Sequence, residues 1–196
     1  LDIVKSMAGE EPITINIEDT KAIIKSGKSK FTLATLPAND FPYKEKEDSN
    51  RSHSINIVDL DNVISQTSFS MAVQDARHFL NGLFLELEGD KLTVVATDGH
   101  RLAMSSCTTT DKIETPVSCI IPRKCIIELK RILATFNDNK ENIAEVSISN
   151  TEITIKVSTY TIKSKLIDGN YPDYKKVFPE SLPHKLSANR EDFKQS

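Results

Sequence analysis

The residues with the most chemical potential in this chain sit together in Ala96-Thr97-Asp98-Gly99-His100-Arg101-Leu102-Ala103. An aspartate two positions from a histidine is raw material for a metal site or for acid/base catalysis, and Asp168 or Asp173 could add a second carboxylate. A metal-dependent hydrolase of that kind needs a third ligand, or a partner that orients the imidazole. The sequence offers neither: His53, His78, His100 and His184 are scattered, none is paired at ligand spacing, and no glycine-rich phosphate loop occurs. Asp98-Gly99 is instead a strong hairpin signal, so the octet reads as a tight turn between two strands. Cys107, Cys119 and Cys125 are odd in number and lack C-x-x-C spacing, which predicts buried, reduced thiols in a cytoplasmic protein. From these residues the expectation is a turn rather than a catalytic site, with no cofactor and no metal.

The elements around that turn alternate between two periods. From Pro12 to Leu36 apolar residues recur every second position (Ile13, Ile15, Ile17, then Phe31 and Leu33), which predicts three short antiparallel strands with Gly27 in a turn. His53 to Val58 reads as a strand. Leu60, Val63, Ile64 and Thr67 then mark one face of a short helix whose first turn carries Asp59 and Asp61. Strands are predicted at Gly82–Glu88 and Lys91–Thr97, joined by a Glu88-Gly89-Asp90 turn, and at Arg101–Cys107 and Val117–Ile121. Pro122 opens a helix running to Phe136, and Glu145–Ile148, Glu152–Val157 and Tyr160–Ile167 close the series as strands. The fold class is α+β, built from a strand-helix-strands unit used twice.

These elements repeat at domain scale. Phe41-Pro42 recurs 130 residues later as Tyr171-Pro172, while Asp19-Thr20, Ile24-Lys25, His53 and Asp61 find counterparts in Asn150-Thr151, Ile155-Lys156, His184 and Asp192, each 131 residues on. The period predicts the rear part of one domain, a complete domain and the start of a third. Lys44 to Ser52, charged and without apolar residues, is the first linker candidate, and Val177 to Pro183 the second. The chain begins without methionine, so truncation at both ends is expected.

Charge must be read locally. With 25 Lys and Arg against 28 Asp and Glu the net charge is −3, which argues against wholesale coating of nucleic acid but leaves room for a basic face. No run approaches the roughly 18 apolar residues of a membrane span. On the helix from Pro122, at about 100° per residue, Arg123, Lys124, Lys130 and Arg131 share one arc while Ile126, Leu129, Ile132 and Leu133 share the opposite one. Ile127 lies on the basic arc and Glu128 at its edge. A solvated surface face and a phosphate-contacting face are both consistent with that wheel.

The octet around Asp98-Gly99 closely resembles the central motif of the bacterial sliding-clamp family, the beta subunit of DNA polymerase III. Phe69-Ser70-Met71-Ala72, Gln74-Asp75-Ala76-Arg77, Leu80-Asn81-Gly82, Ile121-Pro122-Arg123-Lys124 and Leu166 to Tyr174 resemble the same family in the same order. The resemblance implies three similar domains per subunit, here the rear of the first over 1–52, the complete second over 53–181 and the start of the third over 182–196. It implies two subunits closing head to tail around double-stranded DNA into a ring that tethers the polymerase III catalytic subunit without itself catalysing a reaction. It implies DNA contact by Gln74, Arg77, His78 and Phe79, with His78 departing from the family's common aromatic residue, and places Arg123, Lys124, Lys130 and Arg131 on the channel. It also implies a pocket for the tails of polymerases, the clamp loader and repair proteins, formed by Leu80, Thr97, Gly99, His100, Arg101 and Leu102 with Pro172, Lys176 and Val177. In that pocket Lys176 replaces a frequent arginine. Lys28, Lys30, Phe31 and Leu33 resemble the ring-closing strand. A repeat-built interaction module with no DNA role is the closest alternative.

Overall fold

A computed structural model describes residues 2–7, 11–41, 52–136, 143–179, 181 and 183–195. The chain divides into two compact units, Leu1–Glu47 and Asp48–Ser196. In the first, a short helix α1 (Asp2–Ser6) precedes β1 (Thr14–Glu18), β2 (Lys21–Ser26) and β3 (Ser29–Ala34), which form an antiparallel sheet in that order. The register pairs Ile15 with Ile24 and Ile24 with Phe31, so the alternating apolar residues share one face, as the period of two requires. Among the described residues β3 is an edge strand. Lys28, expected on it, lies instead in the preceding turn beside Gly27 at φ 54°.

The second unit carries β4 (Ser52–Asn56), α2 (Ile57–Ser65), β5 (Gly82–Thr97), β6 (Leu102–Pro122), α3 (Arg123–Leu133), β7 (Ile143–Ile148), β8 (Glu152–Val157), β9 (Tyr160–Lys165) and α4 (Arg190–Gln195). Asn56 caps α2, its Oδ1 accepting from the N–H groups of Val58 and Asp59 at 2.9 and 3.4 Å. Thr67 falls just past the helix, where its hydroxyl donates to the carbonyls of Val63 and Ile64. One sheet runs β4-β7-β8-β9, and β5 pairs with β6. Most of the expected linker between the units falls on residues outside those described, as do Glu180 and Leu182 of the second linker.

Three expected strand boundaries are corrected by the fold. The strand expected over His53–Val58 stops at Asn56, and Ile57 and Val58 already belong to α2. Glu88-Gly89-Asp90 is not a turn: β5 runs through it, Gly89 at φ 63° absorbing register shifts against β6 on either side. The segments expected at Arg101–Cys107 and Val117–Ile121 likewise belong to one 21-residue strand, which starts at Leu102. Their polar, threonine-rich join stays extended because it has another neighbour. Thr110 Oγ1 donates to the Ser54 carbonyl at 2.7 Å, and the Ser54 N–H donates to Asp111 at 2.9 Å, which stitches β6 to β4.

A single core joins the layers of this unit. From α2 it takes Ile57, Leu60, Val63 and Ile64, from α3 Ile126, Leu129 and Leu133, from β5 Leu83, Leu85, Leu87, Leu92, Val94 and Ala96, and from β7 and β8 Val146, Ile153 and Ile155. The two helices lie against one another over this core. The internal repeat is also visible in the backbone, since β8 and β9 begin and end 131 residues after β2 and β3. Even the turns correspond: Ser158 adopts φ 52° where the earlier copy has Gly27.

Candidate functional site

Two surfaces of the second unit gather the residues singled out in the sequence. The first is α3 with the loop before β5. Pro122 is the N-cap, and Cys125, Ile126, Leu129 and Leu133 are buried, so Lys124 and Arg131 project outward with Ile127 and Glu128. Arg123 and Lys130 are half-buried and turn back on the protein: Arg123 Nη1 donates to the Met71 carbonyl at 3.4 Å and Lys130 Nζ to Ser68 Oγ at 3.2 Å. Arg131 pairs with Glu128 at 3.0 Å, an exposed ion pair worth at most about 1 kcal/mol. Two cations thus occupy the first turn of α3, where the helix dipole disfavours them by about 0.3–1 kcal/mol each.

The loop that carries Gln74, Arg77, His78 and Phe79 is closed by Asn81. Its Oδ1 accepts from the Asp75 N–H at 2.9 Å, its Nδ2 donates to the Asp75 carbonyl at 2.8 Å, and its own carbonyl accepts the first free N–H of α3, from Arg123, at 3.1 Å. Loop and helix are therefore one hydrogen-bonded body. Gln74 at φ 56°, Arg77 and His78 are exposed, and Phe79 is half-buried against Gly169.

The second surface is the β5–β6 turn. Thr97 Oγ1 accepts from the Gly99 N–H and donates to the Arg101 carbonyl, while Asp98 accepts from the N–H groups of His100 and Arg101 at 2.9 and 3.0 Å and from Arg101 Nε at 3.0 Å. Those backbone donors, with Arg101 behind them, hold the Asp98 carboxyl below the usual carboxylate range. The Asp98 carboxylate is thus engaged in holding the turn, and Asp173 is paired with Lys176 at 3.1 Å. Among the described residues no three His, Cys, Asp or Glu side chains come together as metal ligands. Arg101 Nη2 reaches the Phe69 carbonyl at 2.9 Å.

Arg77 links the two surfaces. It binds Asp75 through two nitrogens at 3.0 and 2.9 Å, which with its N–H lowers the Asp75 carboxyl to about 2, and its guanidinium covers Gly99. Asp75, Asn81 and Phe69 are thus positioning residues that no motif assigned to a site. The Asp75-x-Arg77 spacing was the available signal, an aspartate that can turn back on the N–H two residues later. Gly99 at φ 88° has Arg77 nitrogens 3.1 Å from where a Cβ would sit. Gly99→Ala should therefore lose about 1–2 kcal/mol from backbone strain, measured by urea unfolding. An unchanged midpoint would contradict the strained turn.

β5 presents Leu92, Val94 and Ala96 to the core and Thr93, Val95 and Thr97 to the opposite side, where Leu102 and Met104 of β6 pair with Thr97 and Val95. The segment after β9 crosses this outer side. Tyr171 stacks on Phe84 with ring centroids 4.8 Å apart, and its hydroxyl reaches the Val95 carbonyl at 3.5 Å. Pro172, Lys176 and Val177 are exposed on that segment. Leu80 is 2% exposed and packs beneath the surface rather than on it.

This arrangement, two helices over one core with antiparallel sheets behind them, is the DNA clamp fold. The chain aligns with the crystal structure of the DNA polymerase III beta subunit from Pseudomonas aeruginosa at a TM-score of 0.81 and 41% identity, covering 92% of this chain and 48% of that one. For the sliding clamp of Bacillus subtilis the values are 0.80, 29%, 92% and 46%. The family profile "DNA polymerase III beta subunit, central domain" matches residues 54–173 and the N-terminal domain profile residues 1–45, so the chain belongs to the DNA polymerase III beta subunit family. Among curated relatives, the beta sliding clamp of Pseudomonas aeruginosa is 40% identical over 198 residues and that of Escherichia coli K12 37% over 195. Each alignment covers 100% of this chain and 52% of the relative, so the chain spans about half their length.

Proposed function

We propose that this chain acts as part of a DNA sliding clamp. In this reading two subunits close head to tail around double-stranded DNA and hold a replicative polymerase to its template without catalysing a reaction, in the cytoplasm. The observation that carries it is the outward cation of α3, Lys124, with Arg131 a little under two turns on, placed opposite a wholly apolar buried face. Cations at a helix N-terminus repel its dipole, whereas phosphates complement both. Contact made only with phosphates is independent of sequence and sensitive to salt, which is what sliding demands. Arg123 and Lys130 support that stripe from within, and Gln74, Arg77, His78 and Phe79 extend it through the Asn81-closed loop.

The outer surface has a different role in this reading. Thr97, Gly99, His100, Arg101 and Leu102, with Pro172, Lys176 and Val177, dock the tails of polymerases, the clamp loader and other clamp-binding proteins, with Leu80 supporting the pocket floor. Lys30, Phe31 and Leu33 on the edge strand β3, with Lys28 in its turn, meet a second subunit. The domain limits 1–52, 53–181 and 182–196 belong to the same proposal.

The decisive experiment loads the intact protein on nicked circular DNA and on the same DNA linearised. Topological linkage predicts retention through a salt wash on the circle and rapid loss from the free ends. Equal loss from both would favour an interaction module with no ring.

A further inference from the structure

We propose that a cleft beside Tyr174 is a docking subsite for a cationic side chain, an arginine or lysine that flanks the apolar anchor of a partner peptide. This rests on the docking reading above and extends it. The cleft encloses about 310 Å³ on the outer side of β5 and β6, with Met104, Tyr174 and Phe178 as apolar walls and Glu86 and Glu88 as its acids. Met104 and Phe178 are each 46% exposed, so the walls are open to an incoming chain.

The chemistry of the cleft selects positive charge. Tyr174 donates its hydroxyl to Glu86 Oε2 at 2.8 Å and so fixes that carboxylate beside its own ring. The ammonium of Lys175 lies 3.7 Å from the same oxygen and 5.7 Å from the Tyr174 ring centroid. A cation therefore already sits between a carboxylate and an aromatic face, an arrangement with attraction from both sides. That cation is loosely held: the Lys175 side chain is 65% exposed and its contact with Glu86 is long. A guanidinium would do better, because its planar fork can bind the carboxylate through two N–H groups while stacking on the ring.

Lys91 and Lys175 also line the cleft, so its formal charge balances. Burial pushes the Tyr174 hydroxyl up to about 12, and Glu86, Glu88 and Asp173 all push the same way. Glu86, the nearest of these carboxylates, is the one a guanidinium would meet on displacing the loosely held Lys175 ammonium.

Continuity with the docking surface supplies the partner. Met104 follows Leu102 by two positions on β6, so both point to the same side and lie roughly 7 Å apart. One or two residues of an extended peptide span that distance. Lys175 adjoins Lys176 and Val177 on the crossing segment, so a tail anchored against Leu102 and Val177 has its flank at the mouth of the cleft.

The test uses the intact protein and fluorescence anisotropy with short synthetic peptides that carry a Leu-Phe anchor. Arginine is placed at each flanking position in turn and compared with citrulline, which has nearly its shape without its charge. At the position that reaches the cleft, arginine should bind about fivefold tighter than citrulline, and more so at low salt. Glu86→Gln, which keeps an acceptor for Tyr174, should abolish the preference, and Lys175→Ala should enlarge it. Equal affinity at every position, a preference that survives Glu86→Gln, or tighter binding of a glutamate-bearing peptide would overturn the proposal. A Leu102→Ala arm separates the two readings. It should weaken the arginine and citrulline peptides alike. If it weakens neither, the docking surface itself is wrong; if it weakens both while arginine has no advantage, only the cleft is.

Discussion

Replacing Lys124 and Arg131 together by alanine should lower the salt dependence of DNA retention, reducing the slope of log affinity against log salt by about two, one for each phosphate that is no longer neutralised. Both residues project from α3 and neither is part of its buried face. The fold should survive, because Arg131's ion pair with Glu128 is exposed and Lys124 lies in the first turn, where its charge opposes the dipole. The measurement is a salt titration of retention on circular DNA, with unfolding curves as the control for stability. An unchanged slope would remove α3 from the DNA surface. Arg123→Ala is a poorer probe, since Arg123 bonds to the Met71 carbonyl and its removal disturbs the loop as well as any phosphate it meets.

Gly82→Ala should be the more damaging single change. A Cβ at Gly82 would stand 2.6 Å from the Ile121 carbonyl oxygen and 2.9 Å from side-chain carbons of Ile120 and Ile167. Its φ is not in the left-handed region, so the obstacle is space rather than backbone strain. The first obstacle is backbone and cannot rotate aside. Gly82 opens β5 opposite Pro122, the N-cap of α3, so relief would require the strand and the helix start to separate. Overpacking of this kind costs about 1–3 kcal/mol. Urea unfolding should show that destabilisation, and the DNA slope should fall as the N-terminus of α3 moves. Wild-type stability in Gly82→Ala would show that this junction yields more easily than its contacts imply.

Much of this architecture was legible in the sequence because period and turn chemistry agreed. The alternation in β1 to β3 placed all three strands, and the wheel of α3 separated Ile126, Leu129 and Leu133 from Lys124 and Arg131 correctly. The long β5–β6 ribbon was not legible. Glu88-Gly89-Asp90 carries the composition of a turn, and only its partner strand shows that Gly89 serves a bulge instead. The threonine-rich join in β6 shows no strand signal of its own because the strand it leans on, β4, is more than fifty residues away in sequence. At the candidate site the sequence could nominate residues but not their fastenings. That Arg77 would lie over Gly99, or Asn81 bond to the start of α3, depends on contacts between segments that no local pattern encodes. Leu80 shows the same limit: its type fits a pocket wall, and only the fold reveals that it is buried.

The matching bounds of β2–β3 and β8–β9 bear on how the chain reaches its native state. Each pair is a local hairpin closed by a short turn, so each can form early and without help from distant sequence. Two hairpins of equal length in one chain are also interchangeable in backbone terms, and such near-copies invite pairing with the wrong neighbour during folding. Their side chains oppose the exchange. Lys21 and Ala22 stand where the later copy has Glu152 and Ile153, and Glu152 is buried beside Lys163 at 2.9 Å, a position that would hold Thr32 in the other hairpin. A chain that duplicates its backbone while diverging in its side chains retains the rapid local steps and marks each hairpin for its own partner.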